Sequence, residues 1–240
     1  MSADTIGKTN EFRVMSSGAL GPAYLSLIPA LQRLTGKTVV TASTSLGSGE
    51  NTLDKRLRRG EVVDIVIVAE ALLRQLTGEG LVLADGSAPL ARSGIGIAVH
   101  AGAAKPDISN ADALRETLLK AKSIGYSASV SGQYFTQQLV QRLGIADQVL
   151  GKCKVVAGGV GVVVARGELE LAVQQMSELL PVAGLAHITP LPPEVQIVSV
   201  FSAGVAASCP DAAMAREVIR FLSGPQAADA IRRSGLEPAR

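Results

Sequence analysis

Two loops in the first fifty residues combine hydroxyl side chains with glycine. One is Ser16-Ser17-Gly18, and the other is Ser43-Thr44-Ser45-Leu46-Gly47-Ser48-Gly49. Each loop follows a short apolar run and precedes a segment of helical period, so each is expected at a helix N-terminus. Unpaired N–H groups and partial positive charge make such helix ends suited to an anion. Ordinary helix capping is the alternative interpretation. The ligand-binding residues predicted here are Ser16, Ser17, Ser45 and Ser48.

The second half of the chain repeats this chemistry after a further apolar run. The segment Tyr126-SASVSGQYF places several hydroxyls and an amide between a predicted strand and a predicted helix. A glycine-rich run, Val156-AGGVGV, lacks the pattern of a dinucleotide or P-loop site, and we expect it to let a helix N-terminus approach the ligand. Two glutamines follow the next strand. The ligand-binding residues predicted here are Ser129, Ser131, Gln133, Gly159, Gln174 and Gln175.

Groups suited to acid–base or metal chemistry are few in this sequence. Glu50 and Tyr134 are the candidate catalytic residues, although an acid just after a loop is also typical of a first helical turn. The histidines, His100 and His187, have no metal-ligand spacing and are predicted to be structural or surface residues. A hydrolase elbow with a histidine partner is not matched. We therefore predict no metal and no cofactor.

Composition narrows the class of protein further. Hydrophobic residues make up 47% of the 240 residues and charged residues 18%, which excludes a disordered chain. A net charge of +2 and 3% aromatic residues argue against nucleic acid as a partner. No apolar run is long enough to cross a membrane. Cys153 and Cys209 are predicted to be buried thiols, and the protein is predicted to be a monomer.

Short β-branched runs, Ser/Gly loops and helical segments alternate along the chain. This order predicts an α/β fold in which parallel strands are joined by crossover helices. Gly36 is expected to close the first helix, Pro29 to kink it or delay its start, and Ser109 to cap a later helix. A strand is expected to begin at Ser93. We predict two lobes with a ligand cleft between them: residues 1–92 with 195–240, and an inserted lobe at 93–194, with hinge strands near 90–95 and 193–199.

Five segments in this order resemble one protein family over some 220 residues. They begin at Met15-SSGAL, Thr41-ASTSLGSGEN, Gly125-YSASVSGQYF, Gly159-VGVVVARGEL and Phe221-LSGPQAADAI. They are similar to the molybdate-binding-protein-like branch of bacterial ABC-transporter solute-binding proteins. The resemblance implies the type 2 periplasmic-binding-protein fold, with a mostly parallel sheet flanked by helices in each lobe. It also implies capture of a small oxyanion or carboxylate.

The resemblance carries specific roles to specific residues. In that family hydroxyls and N–H groups at helix N-termini hold the oxyanion, which implies such roles for Ser17, Ser45, Ser129 and Ser131. Where the family tends to have a tyrosine, this chain reads Val173-QQMSEL. Amide side chains both donate and accept, so this departure favours a carboxylate or a partly protonated acid at least as much as molybdate.

The amino-terminal segment and the fold family leave three functions open. The start lacks the basic and apolar regions of an export signal, so a cytoplasmic location is expected, or a periplasmic one if a leader has been removed. The first function is a solute-binding protein that captures a small anion, with an ABC-transporter permease as partner if it is exported. Aconitate isomerase is similar to the same branch, so the second is isomerisation of a small polycarboxylate by an allylic proton shift, which predicts a cationic side chain in the cleft. The third is the ligand-sensing domain of a regulator.

Overall fold

Helices and strands alternate throughout the part of the chain that the computed structural model describes, residues 10–42 and 50–239. The predicted ligand residues Ser45 and Ser48 lie outside these ranges. The strands are β1 Glu11–Ser16, β2 Thr38–Ala42, β3 Ile65–Ala69, β4 Val82–His100, β5 Ile124–Tyr126, β6 Cys153–Val155, β7 Leu171–Gln175, β8 Leu185–Pro190, β9 Val198–Ala206 and β10 Glu237–Pro238.

The helices fall between the strands, as the alternation in the sequence predicts. They are α1 Gly21–Thr35, α2 Leu53–Arg58, α3 Glu70–Gly78, α4 Ala111–Lys120, α5 Val130–Tyr134, α6 Val140–Arg142, α7 Ala146–Val149, α8 Val160–Ala165, α9 Met176–Leu179, α10 Ala212–Leu222 and α11 Pro225–Arg233. A 3-10 turn at Gly18–Leu20 precedes α1, and a π-helical turn at Phe135–Leu139 joins α5 to α6.

The strands form one hydrogen-bonded path in the order β2-β1-β3-β9-β4-β7-β5-β6, with β8 and β10 paired to β4. Strand β1 is parallel to β2 and β3, and β5 is parallel to β6 and β7. Strand β9 is antiparallel to both β3 and β4. The strands β1 to β3 are thus parallel to one another, and so are β5 to β7, as expected. Of the two strands that link these parts of the sheet, β9 runs antiparallel to β3 and β4 runs antiparallel to β7. We call the part around β1, β2, β3 and β9 the first lobe, and the part around β5 to β8 the second lobe.

Strand β4 belongs to both lobes. It pairs with β9 as far as Gly94 and then with β7 and β8 from Ile95 onward. The strand expected to begin at Ser93 is therefore only the second half of a strand that begins at Val82. Its first half contains Asp85-Gly86 and Pro89, which are typical of turns, and the register with β9 is irregular there. A bulged strand with turn residues is easily taken for a loop.

Each lobe has its own buried core. In the first lobe, every residue of β3 is buried and α1 contributes Leu31 to the core. In the second lobe, Ile97 and Phe135 belong to a separate cluster that packs around β7. Strands that are buried on both faces carry nearly continuous apolar runs, which is why β3 is recognisable in the sequence. These cores make each lobe a rigid support for the loops that follow its strands.

The residues that the sequence analysis expected at helix ends predict those ends with different accuracy. Gly36 closes α1 in the left-handed conformation with φ of 65°, as expected for a C-cap glycine. Pro29 lies inside α1, which begins at Gly21, so it does not delay the helix. The expectation that Ser109 caps α4 is wrong by one residue. Asn110 is the N-cap, because its side-chain oxygen accepts a hydrogen bond from the Ala113 N–H at 2.9 Å.

Cys153 and Cys209 are free thiols of intermediate burial. Burial raises the pKa of Cys153 to about 11 and that of Cys209 to about 12. Both side chains are therefore protonated at neutral pH, and neither is an activated nucleophile. Within the described ranges, none of the helices combines the length and the apolar character needed to pass through a bilayer.

Candidate functional site between the lobes

A small cavity of about 20 Å³ lies where loops of the two lobes meet. On the first-lobe side its lining consists of Ser17, Gly18, Ala19, Ala69 and Phe201. On the second-lobe side its lining consists of Ser129, Val130, Gln175 and Glu178. A volume of this size holds about one water molecule, so the lobes are closely apposed here. The structure thus brings together Ser17, Ser129 and Gln175, which the sequence analysis predicted as ligand residues.

Ser17 is held at the end of β1, directly before the 3-10 turn that leads into α1. Its N–H donates to the Ile67 carbonyl at 2.8 Å, which continues the β1–β3 pairing. Its side chain is only 2% exposed, and the Oγ atom has no hydrogen-bond partner among the described residues. A buried hydroxyl without a partner is destabilising unless something binds it. The Ser17 hydroxyl is therefore a donor available to a ligand in the cavity.

The second-lobe side presents a chain of three hydroxyls. Ser127 Oγ lies 2.6 Å from Ser129 Oγ, which lies 3.3 Å from Ser131 Oγ. The turn brings Gly132 so close to the Ser127 carbonyl oxygen that a Cβ atom at this position would collide with it. Only glycine therefore fits there. These hydroxyls already have partners, and a ligand would have to share or replace those bonds.

Glu178 reaches the cavity from α9, the short helix that follows β7. The contact with the first lobe is close, since a Cβ atom at Gly18 would collide with a carboxyl oxygen of Glu178. Burial raises the pKa of Glu178 to about 7, and a hydrogen bond with the Gln174 side chain opposes that rise. A carboxyl group with a pKa near neutrality can both accept and return a proton. The sequence analysis did not identify Glu178 as a candidate site residue.

Gln175 connects the cavity to the strands that join the lobes. When its amide nitrogen faces β4, it donates to the Gly94 carbonyl at 3.0 Å and to Ser93 Oγ at 2.9 Å, while its oxygen accepts from Ser199 Oγ at 3.2 Å. This orientation is the one that satisfies both ends of the amide. The Gln175 side chain thus bonds to both β4 and β9 where the chain passes between the lobes.

The other predicted ligand residues that the structure describes are not part of the cavity lining. Ser16 Oγ donates to the Ser17 carbonyl at 3.0 Å, and the exposed Gln133 donates to Ala128 O at 3.4 Å. Gly159 is exposed at the N-cap of α8, and Ser131 is fully buried behind Ser129. Gln174 is buried beside Glu178.

Neither candidate catalytic residue lies in the lining. Glu50 forms a surface ion pair with Lys55 at 3.1 Å, and its side chain is 85% exposed. Tyr134 is buried and donates through its hydroxyl to the Val195 carbonyl at 2.5 Å. The cationic side chain expected for an isomerase is not among the described residues that line the cavity. In residues 10–42 and 50–239, no cluster of His, Cys, Asp or Glu is arranged to hold a metal ion.

Comparison with protein families gives a match over nearly the whole chain. Residues 12–237 match the model of a bacterial extracellular solute-binding protein. An aconitate isomerase from Pseudomonas sp. is 37% identical over 227 residues, which is 94% of this chain and 87% of the relative.

Solved structures share the fold at lower identity. The periplasmic molybdate-binding protein of Azotobacter vinelandii matches with a TM-score of 0.78 and 18% identity, covering 95% of this chain and 100% of that protein. Peb3 from Campylobacter jejuni matches with a TM-score of 0.68 and 12% identity, covering 94% of this chain and 99% of that one. These matches confirm the two-lobed type 2 periplasmic-binding-protein fold that the resemblance implied.

Proposed function

Because this chain belongs to the bacterial extracellular solute-binding proteins, a family built to enclose small molecules, we propose that it encloses a small polycarboxylate between its lobes and isomerises it. The proposed reaction is an allylic proton shift of the kind that interconverts cis- and trans-aconitate. The observation that supports a reaction, beyond capture alone, is the Glu178 carboxyl group in the interlobe cavity. The aconitate isomerase relative adds support at 37% identity.

Glu178 has the properties that such a reaction requires of a base. It faces the first lobe across the cavity, and its pKa of about 7 leaves a substantial ionised fraction at neutral pH. General bases work best when their pKa lies near the operating pH, because the same group must also return the proton. One carboxyl group can serve both ends of a short allylic system.

The proposed step balances without a cofactor. Glu178 removes a proton from the CH2 group next to the carbon–carbon double bond, and the electron pair left behind spreads over the three allylic carbons and the adjoining carboxylate. The protonated Glu178 then returns the proton to the far allylic carbon, and the double bond moves by one position. Closure of the lobes excludes water from the carbanion while it exists.

Neutral donors would hold the substrate and the developing charge. The Ser17 hydroxyl is buried without a partner, and Ser129 faces it from the other lobe. Hydrogen-bond donors fixed in place before the reaction stabilise an enolate-like charge without rearranging. These hydroxyl donors take the part that the sequence analysis assigned to a cation.

Binding requires the lobes to separate, because a cavity of about 20 Å³ is far smaller than a tricarboxylate. The proposed hinge lies where β4 and β9 pass between the lobes, within the predicted segments 90–95 and 193–199. Gln196 bonds to both the N–H and the carbonyl of Ile95 at 2.9 Å there. Gln175 bonds to the same strands from the cavity, so a ligand that contacts Gln175 would favour one hinge geometry.

The test is proton exchange in deuterated water. The full chain is incubated with trans-aconitate in D2O, and deuterium incorporation and the appearance of the cis isomer are followed by NMR. We expect both, with a rate that rises with pH through about 7 as Glu178 ionises. Glu178→Gln should lower the rate by a factor of about 100 or more, the usual contribution of a general base.

The matched control is Glu168→Gln, which removes a carboxylate on the surface, where Glu168 lies 3.6 Å from Arg166. It should leave the exchange rate unchanged. A wild-type protein that binds the tricarboxylate but exchanges no deuterium would contradict the proposed reaction. An equal loss of rate in both variants would also contradict the role of Glu178.

A second candidate function is capture of a small oxyanion or carboxylate without chemical change. It is favoured by the hydroxyl chain of Ser127, Ser129 and Ser131 and by the TM-score of 0.78 to a molybdate-binding protein. This function predicts an enclosed ligand that raises the melting temperature and shows no exchange. The same NMR experiment, combined with a thermal-shift measurement, separates the two functions.

A further inference from the structure

We propose that Glu178 also determines which anions the protein accepts: its carboxyl group excludes fully ionised tetrahedral oxyanions and admits ligands that turn a C–H or O–H group toward it. Sulfate and molybdate are the excluded class. This inference rests on the proposed function in one respect, that ligands bind in the interlobe cavity. It does not require that the ligand reacts.

The neutral donors of the cavity cannot make this distinction by themselves. The hydroxyls of Ser17 and Ser129 can bond to any negatively charged oxygen, whether it belongs to a carboxylate or to a tetrahedral oxyanion. Selectivity between such ligands requires a group that is unfavourable to one of them. Glu178 is the one acidic side chain among the described residues that line the cavity.

Among the described residues that line the cavity, no positive side chain offsets the charge of Glu178. The described lining contains no Lys, Arg or His. In a desolvated gap an ionised carboxylate repels a negatively charged oxygen placed against it more strongly than it would in water, so a ligand must turn an uncharged part toward Glu178. A polycarboxylate has such a part, and a fully ionised tetrahedral oxyanion has none.

Hydrogen-bond capacity leads to the same conclusion as charge. The Glu178 oxygen lies against Gly18, so a ligand that bridges Ser17 and Ser129 would contact it. An ionised carboxylate only accepts hydrogen bonds, and a fully ionised oxyanion also only accepts, so neither supplies the proton that the contact needs. A ligand with a C–H or O–H group at that point avoids the conflict. Such a ligand is also the kind that could lose a proton to Glu178.

The test measures the binding of sodium sulfate and sodium molybdate to the full chain by calorimetry at pH 8.5, where Glu178 is ionised. We expect Glu178→Gln to bind at least one of the two about 30-fold more tightly than wild type does, since the amide can donate where the carboxylate cannot. Glu168→Gln is the control and should behave as wild type. Equal affinities in wild type and Glu178→Gln would overturn the proposal.

A second substitution tests whether the added oxyanion affinity of Glu178→Gln arises in the interlobe cavity. Adding Ser17→Ala to Glu178→Gln should remove most of the new affinity, whereas a double variant that keeps it would show that the anion binds elsewhere and would overturn the proposal. If Glu178→Gln does not fold, Glu178→Ser serves in its place. Deuterium exchange tests the reaction separately. If Glu178→Gln binds the oxyanion more tightly but wild type exchanges no deuterium, this inference stands and the proposed reaction is contradicted. If wild type exchanges deuterium but Glu178→Gln gains no affinity, the proposed reaction stands and this inference is overturned.

Discussion

The two sides of the interlobe cavity use the same kinds of residue and hold them differently. On the first-lobe side, the Ser17 hydroxyl is buried without a partner among the described residues, and Gly18 lies against the Glu178 carboxyl group of the other lobe. On the second-lobe side, Ser127, Ser129 and Ser131 bond to one another, and Gly132 packs against its own loop. The first-lobe side therefore leaves a hydroxyl available to a ligand, whereas the hydroxyls of the second-lobe side stabilise their own loop. Identical substitutions should have different effects on the two sides.

The largest contrast is expected from alanine at the two glycines. In Gly132→Ala the new methyl group would overlap the backbone carbonyl of Ser127, which cannot move alone, and stability should fall by roughly 3 kcal/mol. In Gly18→Ala the methyl group would meet the flexible end of Glu178, so stability should change little while closure and exchange are impaired. Chemical denaturation and NMR exchange measure the two effects. Equal destabilisation by both variants would show that the loops do not differ.

The pH dependence of the protein's stability should report the ionisation of Glu178. Its pKa is raised from 4.5 to about 7 in the folded protein, so the folded state holds the proton more tightly than the unfolded state does. The stabilisation from this group is complete below pH 4.5 and is lost as pH rises through 7. The side chain at position 178 does not titrate in Glu178→Gln. The melting temperature of this variant should therefore rise relative to that of wild type between pH 5 and pH 8. Parallel melting curves across this range would contradict the raised pKa.

Removal of single hydroxyls should separate binding from folding. Ser17→Ala should weaken tricarboxylate binding by about 1–2 kcal/mol and leave the melting temperature nearly unchanged, because its Oγ has no partner to lose. Ser129→Ala should weaken binding and also lower the melting temperature, because it breaks bonds to Ser127 and Ser131. Calorimetry and thermal denaturation give the two readouts. If Ser17→Ala lost as much stability as Ser129→Ala, the proposed difference between the two sides of the cavity would be contradicted.

The smallest effect is expected at Tyr134, which lies outside the cavity lining. Tyr134→Phe removes a buried hydrogen bond to the Val195 carbonyl and should lower stability by about 1 kcal/mol. Deuterium exchange should be unaffected, because this hydroxyl helps to fasten α5 to the segment that returns to the first lobe. A loss of exchange without a loss of stability would return Tyr134 to the list of catalytic candidates.

The fold was largely predictable because its signals are local. The apolar run of β3 and the glycine that ends α1 are visible within a few residues, and both lie where expected. Strand β4 was only half predicted, because its turn-like residues are held extended by β9, a partner more than 100 positions away in the chain. Pairing over that distance leaves no pattern in the strand itself.

The site was less predictable because its composition depends on how the lobes meet. The hydroxyl loops indicated Ser17 and Ser129 as ligand residues, and both line the one cavity. Glu178 lies three residues after the predicted Gln175, as the third residue of a four-residue helix, and nothing nearby in the sequence distinguishes it from a surface acid. The rise in its pKa comes from burial, and Gly18 of the other lobe lies against its carboxyl group.

The small volume between the lobes has a consequence for how quickly a ligand is taken up. Since a described cavity of about 20 Å³ is too small for a tricarboxylate, we expect encounter with such a molecule to succeed only during a spontaneous opening. The observed association rate should therefore rise with concentration at first and then level off at the opening frequency of the protein. In stopped-flow traces that ceiling would be the same for every compound that enters, whatever its affinity.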